Sequence, residues 1–138
     1  MAELQAGRKT GHWIWYIFPQ LAGLGSSSQS QHYGLAGIDE ATALLEHPVL
    51  GARLLDATTA VDEQIARGVP LRTLLGSSID LQKLVSSLTL FEAAASRLYE
   101  RDGRDAYLTL LTLADRVLMA AFTEGYQRCQ YTLARLRQ

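Results

Sequence analysis

The stretch Gly11-His12-Trp13-Ile14-Trp15-Tyr16-Ile17-Phe18-Pro19-Gln20 gathers residue types that could do chemistry. His12 titrates near neutral pH and would serve as a general base or a ligand-binding imidazole. Trp13 and Trp15 would wall a pocket by stacking on a ring. Gln20 would hydrogen-bond a ligand amide or hydroxyl. Each has a plainer reading. A buried histidine can be satisfied by backbone, paired tryptophans can form a core aromatic cluster, and a glutamine can cap a helix end.

A second constellation lies far along the chain. Lys83 precedes Ser86 by three residues and Ser87 by four, so on a helix both hydroxyls share its face. A lysine made neutral by burial could activate a serine. The alternative is a polar strip that satisfies its own backbone. No Gly-x-Ser-x-Gly elbow supports a hydrolase. Gly23-Leu24-Gly25-Ser26-Ser27-Ser28 resembles half of a phosphate-cradling loop but lacks the third glycine and the lysine. Its free amides could still hold an anion, and an ordinary capped loop is the better reading. The three histidines and Cys129 are scattered, which predicts no structural metal. Asp62 and Glu63 are adjacent, so they face different ways and do not form an acid–base pair. Arg101, Asp102 and Arg104 read as a solvated turn.

The elements that must position these groups read as helices. Ala2 to Ala6 is a short helix ended by Gly7, too short to persist undocked. The aromatic run has strand propensity but no convincing strand partner, so it reads as a short buried helix ending before Pro19. A helix follows over Gln29 to Leu35, and Asp39 caps another through Glu46. Pro48 opens a helix through Arg67, with Leu50, Leu54, Val61 and Ile65 on one stripe. Pro70 to Leu75 makes a turn or two. Ser77 or Ser78 starts a helix carrying Leu81, Leu84, Val85, Leu88 and Phe91, which fades near Ser96. Arg104 to Phe122 is the longest apolar-rich helix, and Gln127 to Arg137 the last. The fold class is all-α, multihelical, a single domain over residues 1–138.

Composition agrees with one packed core. The chain has 138 residues, 48% of them hydrophobic, which suits one domain rather than a disordered segment. Thirteen basic residues against 14 acidic ones give a net charge of -1, so no basic excess points to nucleic acid. No signal-peptide core stands near Met1, and no apolar run approaches the roughly 18 residues of a bilayer span. A single cysteine suits a reducing compartment. The expectation is a cytoplasmic protein without nucleic-acid or membrane partners and without a cofactor.

Several blocks together resemble a known family. They are Gly7-Arg8-Lys9, His12 through Gln20, Gly23-Leu24-Gly25, Tyr33-Gly34, His47-Pro48-Val49-Leu50-Gly51-Ala52-Arg53-Leu54 and Ser86-Ser87-Leu88-Thr89-Leu90-Phe91. In order and content they are similar to the bacterial domain of unknown function 1810, whose members are sometimes mislabelled calpastatin. Family members usually carry a serine where this chain has Gly11, and a further stretch of helix before the segment that begins here at Met1. That implies a shortened first helix. From Ser96 onward the match is loose. The resemblance implies a mostly helical single domain and no established activity.

Two functional classes remain open. In the first, the chain binds or transforms a small anionic, nucleotide-like or sugar-phosphate ligand. His12, Lys83 and Ser86 would carry the chemistry, and Trp13, Trp15, Gln20, Tyr33 and Ser87 would bind. That reading requires His12 and Lys83 to line one cavity. In the second, the chain is a non-catalytic interaction or structural helical module, marked by a filled core and an exposed apolar patch.

Overall fold

The computed structural model describes residues 2–7, 17–20 and 35–137. Seven helices lie among these residues: α1 (Ala2–Gln5), α2 (Ile38–Glu46), α3 (Pro48–Ala66), α4 (Leu71–Leu75), α5 (Ser78–Asp102), α6 (Asp105–Thr123) and α7 (Gln130–Leu136). No strand occurs among the described residues, and the all-α reading holds.

The domain is organised around α5. Every residue from Leu84 to Phe91 is buried, so this helix is enclosed on all sides rather than along one stripe. It packs against α6, α2, α7 and α4. Ser77 caps its start by accepting the Asp80 N–H at 3.1 Å, as the serine pair predicted. The helix runs on to Asp102, past the fade expected near Ser96. Ala94, Ala95 and Leu98 continue the buried face, and polar residues such as Arg97 and Arg101 occupy only the outer side. The stop is Gly103, whose φ of +66 places it in the left-handed region. Its N–H returns to the Tyr99 carbonyl at 2.8 Å. Only Gly103 and Arg104 separate α5 from α6, which makes the two an antiparallel hairpin.

Around this hairpin the other helices find apolar partners. α3 lies on α6, α2 and α1. It starts where Pro48 predicted, with His47 Nδ1 accepting the N–H groups of Val49 and Leu50, each at 3.2 Å. α2 begins one residue before Asp39, after Gly37, and has no side-chain cap. Asp39 therefore lies within the first turn instead of at the cap, and its exposed carboxylate meets Arg97 at 2.9 Å. α1 is short, but Leu4 is fully buried, and the Gln64 side-chain amide donates to the Gln5 carbonyl at 2.8 Å. Docking therefore supplies the stability that four residues cannot. Asp62 pairs with Arg116 at 3.1 Å, while Glu63 is exposed, so the two acids face different ways as expected. Arg101 bonds both Asp102 and Glu46, and its guanidinium holds the Asp102 carboxyl below the usual range.

The α6 segment departs from expectation in one respect. It has the length and mean hydropathy of a bilayer span, where the sequence reading found no such run. The core helix of a water-soluble bundle passes the same test, and α6 is packed against α5 and α3.

The end of α6 also holds α4. The Glu124 carboxylate accepts the Leu71 N–H at 2.8 Å and the Arg72 N–H at 3.1 Å. It caps a five-residue helix from 53 residues away in sequence. Glu124→Ala should destabilise the fold by about 0.5–2 kcal/mol, the range for a lost helix cap. Equilibrium urea denaturation measures this, and an unchanged midpoint would show that water replaces the carboxylate freely.

Candidate functional site

Of the residues singled out in the sequence, His12, Trp13, Trp15 and Tyr33 lie outside the described residues. So does most of the expected helix over Gln29–Leu35; its last residue, Leu35, is not helical. The serine-rich loop and the convergence of His12 with Lys83 also fall outside them. The end of the aromatic run is described. Ile17 is helical and Phe18 is not, so the helical backbone stops just before Pro19. Ile17 is half-buried and Phe18 fully buried in the core.

Gln20 follows as a buried polar residue. Its carbonyl accepts the Leu35 N–H at 2.7 Å. Its side-chain Nε2 has no hydrogen-bond partner among the described residues. Nearly every buried polar atom in a folded protein is paired, so this donor marks a place where an acceptor belongs.

The Lys83 constellation divides in two. Lys83 keeps 28% of its side chain exposed and stands 3.9 Å from the Asp80 carboxylate, one turn back. That is a solvated ion pair at the edge of contact, not the apolar isolation that prepares a lysine to deprotonate a serine. Ser86 donates to the Gln82 carbonyl at 2.9 Å, a bond that lets a hydroxyl sit inside a helix. Ser87 is fully buried, and its Oγ has no partner among the described residues. Thr89 repeats the Ser86 pattern, donating to Val85 at 2.7 Å.

The polar face of α5 meets a residue that the sequence reading weighed only as a metal ligand and as a sign of compartment. Thr89 Oγ1 also accepts the Cys129 N–H at 3.2 Å. Cys129 is the residue before α7, half-buried. Burial pushes its thiol up, but the Ser86 and Thr132 hydroxyls and the amides of Thr132 and Tyr131 pull it down further, so the net shift is downward. The sulfur closes no capping bond of full geometry. Thr132 is fully buried, and its hydroxyl has no partner of bonding geometry among the described residues.

The neighbouring Arg128 fixes this segment. Its guanidinium forks onto Glu92 at 3.0 and 2.9 Å and reaches Asp115 at 2.8 Å. The bonds to Glu92 and Asp115 raise its already high pKa. Arg128 thus ties the segment to both α5 and α6, and α7 begins at Gln130, three residues later than expected. No sequence signal announces these pairings, since they join positions 36 and 13 residues apart. Among the described residues, no three His, Cys, Asp or Glu side chains gather as a metal site.

The sequence matches a family described as a protein of unknown function (DUF1810) over residues 1–120. No curated protein matches it. Its fold is similar to the crystal structure of the conserved hypothetical protein Rv1873 from Mycobacterium tuberculosis. The TM-score is 0.76 at 37% identity, covering 99% of this chain and 85% of that one.

Proposed function

We propose that this chain, which belongs to the family of proteins of unknown function DUF1810, binds a small anionic molecule of nucleotide-like or sugar-phosphate type. One observation supports the reading. Gln20 Nε2 and Ser87 Oγ are both buried hydrogen-bond donors without a partner among the described residues. Leaving such a group unpaired costs about 1–3 kcal/mol. A carboxylate or phosphate oxygen is the kind of acceptor that both would take. Lys83, one turn before Ser87 on α5, contributes positive charge, His12 an acid or base, and Trp13, Trp15 and Tyr33 the wall against a flat ring.

A thermal-shift panel of nucleotides and phosphosugars tests this. A ligand at about 100 times its dissociation constant stabilises by about 2.7 kcal/mol, which is readily measured. His12→Ala and Lys83→Ala should abolish the shift while leaving the helical circular dichroism spectrum intact. Ser87→Ala should abolish it without lowering the stability of the free protein, because it removes an unpaired buried hydroxyl. If the free protein instead loses stability in all three variants, these residues are structural and the binding reading fails.

A second reading, a non-catalytic interaction module, is favoured by α6. Leu108, Met119 and Phe122 are 40%, 56% and 62% exposed and fall along one side of that helix by their spacing. No response to any small molecule, together with a change in sedimentation on Met119→Glu, would support this reading over the first.

A further inference from the structure

We propose that the outer face of α6 docks on the same face of a second copy of this chain, the two helices lying antiparallel about a two-fold axis. The proposal rests on the interaction reading of α6, whose partner it names, and does not depend on the anion site. The first observation is an excess of apolar surface. α6 has the hydropathy of a bilayer span, yet only 33% of that span is buried in the fold. The inner side is already filled by Leu110, Ala114, Val117 and Ala121, while Leu108, Met119 and Phe122 stand exposed on the other.

The second is spacing. Leu108, Thr112, Asp115, Met119 and Phe122 follow one another at intervals of four, three, four and three, and all five are exposed. That alternation is the seam along which two helices pack side chains into each other's gaps at a shallow crossing angle. Burial of the seam strands no polar group. Asp115 is its one charge, and Arg128 of the same copy holds that carboxylate at 2.8 Å. Thr112 gives its hydroxyl proton to the Leu108 carbonyl at 2.9 Å. The Asp115 pair, and that of Arg116 with Asp62 beside the seam, suit a protein partner rather than lipid tails, where charge is costly.

The third is self-complementarity. With the helices antiparallel, one register sets Leu108 opposite the partner's Met119 and Thr112 opposite the partner's Asp115, and the two-fold repeats both contacts. The same register brings the exposed Arg104, at the start of α6, to the partner's last turn and Glu124. That turn has no basic residue of its own, and the helix end and the Glu124 carboxylate are both negative. Asp105 falls beside the partner's Phe122, next to Arg104 and at the positive end of its own helix. A parallel pair would instead set Arg104 against Arg104.

Sedimentation velocity over a concentration series should show the monomer converting to a species of twice the chain mass. Leu108→Glu and Met119→Glu should each keep the protein monomeric at the highest concentration, with an unchanged helical circular dichroism spectrum, because each places an unpaired charge on the seam. Ile79→Glu, at an exposed apolar site on α5 outside the seam, should dimerise as the wild type does. In a Cys129→Ser background, oxidation of a mixture of Leu108→Cys and Met119→Cys should cross-link the two variants, and neither should cross-link to itself. In the antiparallel register two copies of residue 108 lie about 16 Å apart along the helix axis, beyond the roughly 7 Å that a disulfide spans. A chain that stays monomeric throughout overturns the proposal and leaves the interaction reading to a partner of another kind. Dimers that ignore both glutamate variants overturn it too, as do cross-links within either single variant equal to those of the mixture.

Discussion

Phe18→Ala should destabilise the protein by about 3–5 kcal/mol, the loss typical of a large aromatic removed from a core. Phe18 has no solvent exposure and belongs to the same apolar cluster as Leu84, Leu88 and Phe91. The cost has two parts, the transfer energy of the ring and the cavity left behind. Relaxation would be limited, because Pro19 follows immediately and fixes the backbone there. Chemical denaturation followed by circular dichroism measures the loss. A value below about 1 kcal/mol would mean that the end of the aromatic run is peripheral to the fold. The result also bears on function, since Gln20 lies two residues on and its amide can point at a ligand only while Phe18 anchors the segment.

Gly51→Ala should also destabilise, against the usual trend. Within a helix, replacing glycine by alanine normally gains about 1 kcal/mol. Gly51 lies in the first turn of α3, where the chain has just left α2. A methyl group there would run into the Leu45 carbonyl oxygen and lie 3.1 Å from its carbon. The obstacle is backbone at the end of α2, so no side chain can swing aside. Overpacking of this kind costs about 1–3 kcal/mol, enough to cancel the propensity gain and reverse the sign. A lowered melting temperature for Gly51→Ala supports the close approach, whereas a raised one would show that the α2–α3 corner opens at no cost. The same glycine sits inside the His47–Leu54 block that resembles the family, and the tight corner gives a physical reason for it.

The helices were legible because their start and stop signals are local. Pro48 and Ser77 each act on their own neighbours, and the stripe of Leu81, Leu84, Leu88 and Phe91 repeats at helical spacing. The sequence misled where a distant partner decides. Asp39 has the chemistry of a cap but falls inside the first turn, where its carboxylate meets Arg97, 58 residues away. α7 starts after Arg128, whose side chain is held by Glu92 and Asp115. Residues after Ser96 look too polar for a core helix, yet only their outer side is polar. The site was less legible than the fold for the same reason. Lys83 and Ser86 share a helix face by spacing, but Lys83 stands against Asp80 and the Ser86 hydroxyl turns back to the Gln82 carbonyl. The Ser87 hydroxyl gains meaning only once it is seen buried without a partner among the described residues.

The carboxylate of Glu124 sets an order of events as well as a cap. A helix of five residues does not survive alone in water, and the amides of Leu71 and Arg72 find their acceptor only after the hairpin of α5 and α6 has closed. During synthesis, that acceptor leaves the ribosome more than 50 residues after the helix it completes. The segment from Leu71 to Leu75 therefore sets after that hairpin, although it precedes the central helix in the chain. In the finished protein the same dependence runs backwards. Each time the end of α6 frays, those two amides are released to solvent, so their hydrogen exchange should follow the opening of Ala121–Glu124 rather than that of their own short helix.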